Sequence, residues 1–203
     1  MGDAETGLAG HADAGRDAGD DAALIAQSLR SPERFAALFD RHAPAIHRYL
    51  ARRLGPDVAD DLVAETFLVA FQRREAYDPA NAGPRPWLYG IATNLIRRYR
   101  RDETRLFRAI ARTSAEPAAE PMADQVTERA AAGAARGQLA SALARLPGSQ
   151  RDVLLLAASG LSHEETAVAL GVPLGTVASR LARARRKVRA ELGGVNPIET
   201  QGG

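Results

Sequence analysis

Residues Leu161–Ala190, LSHEETAVALGVPLGTVASRLARARRKVRA, decide how the rest of the chain is read. Ser162 followed three residues later by Glu165 is a capping box, so a helix starts there. Gly171-Val172-Pro173 ends it: glycine suits a left-handed C-cap, and proline suits the start of a following helix. On a 3.6-residue wheel, Val177, Leu181, Ala184 and Val188 of that second helix share one side. Ser179, Ala182, Arg183 and Arg186 fall opposite, with Arg180, Arg185, Lys187 and Arg189 on the flanks. One side packs and the other is built to meet an anion. An apolar stripe and an arginine face after a short glycine turn is the pattern of a helix-turn-helix, whose second helix enters the DNA major groove.

Charge outside this stretch is unevenly spread. The chain of 203 residues carries a net charge of only +2, but residues 1–21 hold Asp3, Glu5, Asp13, Asp17, Asp20 and Asp21 against Arg16 alone, a net of −5 that leaves +7 on the rest. The body therefore favours a polyanionic partner. The Gly, Ala and Asp composition of 1–21 cannot bury enough apolar surface to offset chain entropy, so an acidic disordered tail is expected, taken to residue 30. The absence of cysteine excludes disulfides and thiolate metal sites and fits a cytoplasmic protein. No apolar run approaches the roughly 20 residues of a membrane span, and no secretory signal is read at the start.

Ser31-Pro32 opens a helix, with Phe35, Leu38, Phe39, Ile46, Tyr49 and Leu50 at helical spacing and Pro44 expected to kink or split it. Gly55-Pro56-Asp57 is a turn. The next helix, to about Arg74, buries Leu62, Val63, Thr66, Phe67, Ala70 and Phe71 and shows Asp57, Asp61 and Glu65 on another face beside Asp60. Tyr77–Pro86 is a loop, and Pro86 opens a helix whose apolar members are Trp87, Leu88, Ile91, Ala92, Leu95 and Tyr99. Arg97, Arg98, Arg100, Arg101, Arg105 and Arg108 make its later part basic; cations near aromatic rings suit single-stranded nucleic acid. Asn94 between them is either a surface amide or one that reads an unstacked base. Thr113–Ala135, rich in Ala, Pro and acid, reads as a linker; Leu139, Leu143 and Leu146 then resume the helical period up to Pro147-Gly148. No segment alternates with the period of a strand. The expected fold is all-α: two small helical bundles on a flexible tether.

No constellation suggests catalysis. The carboxylates at 57, 60, 61 and 65 form a ridge on one helix rather than a cup for a cation, so no metal and no cofactor is expected. His163-Glu164 begins an H-E-x-x-H, but position 167 is Ala. His42 and His47 read as structural.

The order D-D-L-V-A-E-T-F (60–67), P-R-P-W-L-Y-G-I-A-T-N-L-I-R-R-Y-R-R (84–101), linker, and L-S-H-E-E-T-A…G-V-P-L-G-T-V-A-S-R-L-A-R-A-R resembles bacterial RNA polymerase sigma factors of the extracytoplasmic-function group of the sigma-70 family. That resemblance implies a transcription initiation factor, not an enzyme, which brings core polymerase to promoters. It implies a sigma domain 2 at 31–108, an acidic linker at 109–135, a sigma domain 4 at 136–193 with its helix-turn-helix at 161–180, and a loose tail at 194–203. Asp61, Leu62, Glu65 and Thr66 would dock on the clamp helices of the largest polymerase subunit, with a further contact to the flap region. Trp87, Asn94, Arg97, Arg98 and Arg101 would capture the melted −10 element, Asn94 in the pocket of a flipped-out base. Thr176, Ser179, Arg180, Arg183 and Arg186 would read the −35 duplex. An anti-sigma protein is the further implied partner. Ala64 stands where the family usually has Gln, and Ala178 where it often has Lys or Arg. The rival readings are a stand-alone helix-turn-helix regulator and a helical metal-dependent hydrolase using Asp57, Asp61 and Glu65.

Overall fold

The computed structural model of the chain describes residues 19–113 and 130–192, without the side chains of 103–113 and 130–136. Every regular element among the described residues is helical. Helix α1 spans 19–28; α2 is Phe35–Leu54, α3 Pro56–Gln72, α4 Pro84–Thr113, α5 Ala130–Ala144, α6 Gly148–Ala158, α7 His163–Leu170 and α8 Leu174–Glu191. The expected tail through residue 18, most of the linker and the tail from 193 lie outside the described residues.

Helices α2 and α3 form an antiparallel pair. Gly55 caps both, at φ 88° and ψ 165°, a backbone conformation open to glycine, and its N–H donates to Ala51 O at 3.0 Å. Pro56 follows at the first helical position, where a missing N–H costs nothing. Pro44, expected to kink or split α2, does not split it: the helix runs unbroken from Phe35 to Leu54. Pro44 and Asp40, the residue whose carbonyl loses its partner, are both exposed, on the solvent side of the helix. Leu38, Ile46, Tyr49 and Leu50 keep the inner side anchored. Helix α4 crosses the pair, and Leu88, Ala92 and Ile96 complete the core, each fully buried.

The second bundle is held by two apolar clusters. Val153, Val177 and Leu181 pack α6 on α8, and Ala142, Leu146, Ala184 and Val188 pack α5 on α8. The wheel drawn on the sequence is reproduced: Val177, Leu181, Ala184 and Val188 are all buried. Ser162 Oγ accepts from Glu165 N at 3.1 Å while Ser162 N donates to the Glu165 carboxylate at 2.7 Å, the capping box read in the sequence. Gly171 closes α7 in the left-handed conformation, φ 62°.

One expectation fails. Residues 19–28, placed in the disordered tail, form a helix with Asp21, Ile25 and Ser28 buried against the first bundle. Asp21 binds Arg41 and accepts from His42 Nε2 at 2.5 Å, so an isolated acid in a polar stretch becomes a clasp. The two bundles, tethered by the linker, also touch. Leu155, Leu156 and Leu161 belong to the same apolar cluster as Leu88, Tyr89 and Ile96, and α7 lies directly on α4. Gly90 makes that contact possible: a Cβ there would stand 2.8 Å from Ala169 O.

Candidate nucleic-acid interface

The α8 surface follows from its wheel. With the apolar stripe buried, Ser179, Ala182, Arg183 and Arg186 face solvent, and Thr176 and Arg180 are half-buried at the edge. Ser179 Oγ donates to Thr176 O at 3.1 Å, which ties the first turn. Neither Arg183 nor Arg186 has a carboxylate partner among the described residues, and Arg185, Lys187 and Arg189 are exposed beside them. The result is a cationic ridge on a rigid helix, presented after a capped turn.

Helix α4 carries the second basic surface. Trp87, Asn94, Arg98 and Arg101 recur at intervals of seven, four and three residues, so they line one stripe. Trp87 packs on Tyr77 with ring centroids 4.8 Å apart, and Tyr77 Oη donates to Ala82 O at 2.8 Å, which folds the loop onto the helix. Asp78 holds the loop tip, accepting from Ala80 N at 2.9 Å and from Asn81 Nδ2 at 2.5 Å. Asn94 is exposed, and its Oδ1 accepts from Arg97 Nη1 at 3.4 Å. Arg97 lies off the stripe and turns toward α6, where Nη2 and Nε donate to Asp152 Oδ2 at 2.9 and 3.1 Å.

The expected docking set divides by burial. Asp61 is exposed, and the Glu65 side chain is 40 % exposed, its carboxylate 3.5 Å from Arg98. Leu62 and Thr66 face inward, Thr66 donating to Leu62 O at 2.6 Å, so they shape the helix from within. Asp60 pairs with His47 at 3.1 Å rather than joining a cation site.

Behind these surfaces lies a polar network that sequence reasoning did not find. Thr93 Oγ1 donates to Tyr89 O at 2.8 Å and pairs with Tyr49 Oη at 2.8 Å, and Arg53 Nη1 donates to Tyr49 Oη at 3.4 Å. Arg53 Nη2 stands 2.6 Å from Asp152 Oδ1, with both side chains almost fully buried. The only sequence trace is an acid, Asp152, just before an apolar run, and nothing there names its partner. Burial, opposed in part by Arg53, pushes the Tyr49 hydroxyl up from 10.0 to about 12. The unfolded chain ionises first, so this group's contribution is complete below pH 10 and is lost between pH 10 and 12, by up to about 3 kcal/mol. Burial likewise pushes the Tyr77 hydroxyl up to about 12, so urea midpoints across that window are expected to fall for the native chain and to fall less steeply in Tyr49→Phe.

Two helical bundles, one ending in a helix-turn-helix and the other carrying an acidic face beside an aromatic and cationic one, have the architecture of a DNA-binding factor. Comparison makes the class specific. Residues 38–106 match the family "Sigma-70 region 2" and residues 136–188 match "Sigma-70, region 4". The chain is 35 % identical over 141 residues to the ECF RNA polymerase sigma factor EcfG of Rhodopseudomonas palustris, covering 67 % of this chain and 72 % of that one. It is 34 % identical over 181 residues to the RNA polymerase sigma factor CnrH of Cupriavidus metallidurans, covering 85 % and 94 %. The structure of CnrH in complex with the cytosolic domain of CnrY superposes with a TM-score of 0.63 at 28 % identity, covering 87 % of this chain and 99 % of that one. The chain belongs to the extracytoplasmic-function group of sigma-70 RNA polymerase sigma factors. It is thus a transcription initiation factor rather than an enzyme, and no helix among the described residues is long and apolar enough to cross a membrane.

Proposed function

We propose that this chain joins core RNA polymerase in the cytoplasm through Asp61 and Glu65, with Leu62 and Thr66 setting the shape of that surface. The α4 stripe of Trp87, Asn94, Arg98 and Arg101, with Arg97, captures the melted −10 element. The α8 face of Thr176, Ser179, Arg180, Arg183 and Arg186 reads the −35 duplex. The observation that carries the reading is the α8 ridge: Arg183 and Arg186, without a carboxylate partner among the described residues, opposite a buried apolar stripe, on a helix entered through a capped turn. Opening a duplex costs about 1.4 kcal/mol per base-pair step, and stacking an unpaired base on an aromatic ring returns about 1–3 kcal/mol. Trp87 on its Tyr77 support supplies such a ring, and polymerase supplies the chemistry. An anti-sigma protein is the second partner of this reading; CnrH was solved with CnrY, and the Bartonella quintana sigma factor RpoE with the anti-sigma factor NepR.

Run-off transcription with purified core polymerase on genomic fragments is the test. Initiation at discrete sites that depends on this chain is the expected result. A chain that binds duplex DNA but leaves core polymerase without a start site would instead be a stand-alone regulator.

A further inference from the structure

Helix α8 presents more than arginines to solvent. Leu174, its first residue, is 46 % exposed, one of the few large apolar side chains left in water among the described residues. Ala178 and Ala182 follow at intervals of four, so the three lie along one line of the helix, and all are exposed. On the wheel that line runs between the buried stripe and the face of Arg183 and Arg186. Gly175, in the same first turn, is exposed as well. Its backbone lacks the positive φ of Gly55, Gly160 and Gly171, and a Cβ there would meet nothing within 4 Å. Neither the backbone nor the packing of this chain requires glycine at 175, and glycine is a poor helix former. What a bare backbone at that point does provide is clearance for a surface that approaches from outside.

We infer that Leu174, with Ala178 and Ala182 beyond it, selects thymine in the −35 duplex by contact with the thymine C5-methyl group, and that Gly175 lets the helix come close enough to do so. The inference rests on the assignment of α8 to that duplex made under the proposed function. In a helix-turn-helix the N-terminal residues of the second helix reach the base edges, and Leu174 and Gly175 are the first two residues of α8. Leucine and alanine side chains carry no donor or acceptor, so they cannot read the nitrogen and oxygen pattern of a base pair. The apolar mark that the major groove offers them is the thymine methyl. Leu174 and Ala182 stand eight residues apart, about 12 Å of helix, the length of three to four base pairs at roughly 3.4 Å each. Arg185, Arg186, Lys187 and Arg189 lie exposed around and beyond this line and attract the polyanion. Once they hold the helix in the groove, burying a leucine against a methyl removes apolar surface of both from water.

The test uses the full chain with core polymerase on a promoter duplex found by the run-off assay. Each thymine of its −35 element is replaced in turn by deoxyuridine, which deletes the methyl and keeps the base pair, and affinity is read by competition. The native chain is expected to lose about fourfold for each methyl it contacts, the effect of one buried carbon. In Leu174→Ala the loss at one of these thymines should disappear while the others keep theirs. That coupling separates direct contact from a change in duplex flexibility, which would persist in the variant. Gly175→Ala is expected to melt at or above the native temperature, because alanine favours the helix. It should nonetheless bind the promoter at least about fivefold more weakly, the loss of one base contact. A −35 element without thymine overturns the inference, and so does one in which no methyl matters or in which Leu174→Ala keeps every thymine effect. Native affinity in Gly175→Ala overturns the close approach on which the methyl contact depends. A chain that starts no transcription and selects no duplex would instead strike the proposed function itself.

Discussion

The double replacement Asp61→Ala/Glu65→Ala is expected to weaken binding to core polymerase by about 30- to 1000-fold, or roughly 2–4 kcal/mol, the range for truncating two charge-assisted contacts at an interface. The loss should not come from the fold. Asp61 is exposed, and among the described residues Glu65 pairs with Arg98 at 3.5 Å, with the Glu65 and Arg98 side chains substantially in water. Exposed pairs of that kind contribute about 0–1 kcal/mol, so the variant should melt close to the native chain. Titration of fluorescent core polymerase, beside thermal melting of both chains, measures the two effects separately. Native affinity in a folded double variant would move polymerase docking to another face.

Arg183→Ala/Arg186→Ala is the second large effect. Each arginine projects from a helix whose opposite side is buried, so truncation removes the proposed contact to DNA and no packing. A base-edge contact is worth about 1–3 kcal/mol and a phosphate contact flattens the salt dependence by about one counterion. Initiation from promoters with a −35 element should therefore fall about 10- to 100-fold. The slope of log affinity against log salt should become shallower by about one to two. A promoter bound through the −10 element alone should be nearly unaffected. Filter binding over a salt series, with run-off assays on both promoter types, checks each statement. An unchanged salt slope would remove the arginine ridge from the DNA interface.

The parts of this protein governed by neighbours within one or two helical turns were legible. The capping box at Ser162 and Glu165, the left-handed Gly171, and the stripe Val177–Leu181–Ala184–Val188 are all local patterns, and all recur in the structure. The turn at Gly55-Pro56 is of the same kind. Pro44 shows the limit of a local rule: its side of α2 faces water, so the helix absorbs it.

What the sequence determined by itself was therefore most of the helices, their buried and exposed faces and the cationic ridge of α8, because periodicity and capping act over a few residues. Only the tertiary structure decided that residues 19–28 join the first bundle through Asp21, and that Asp152 lies between Arg53 and Arg97. Those pairings join residues 20 to about 100 positions apart, and a carboxylate in a sequence carries no mark of which arginine will exclude water from it.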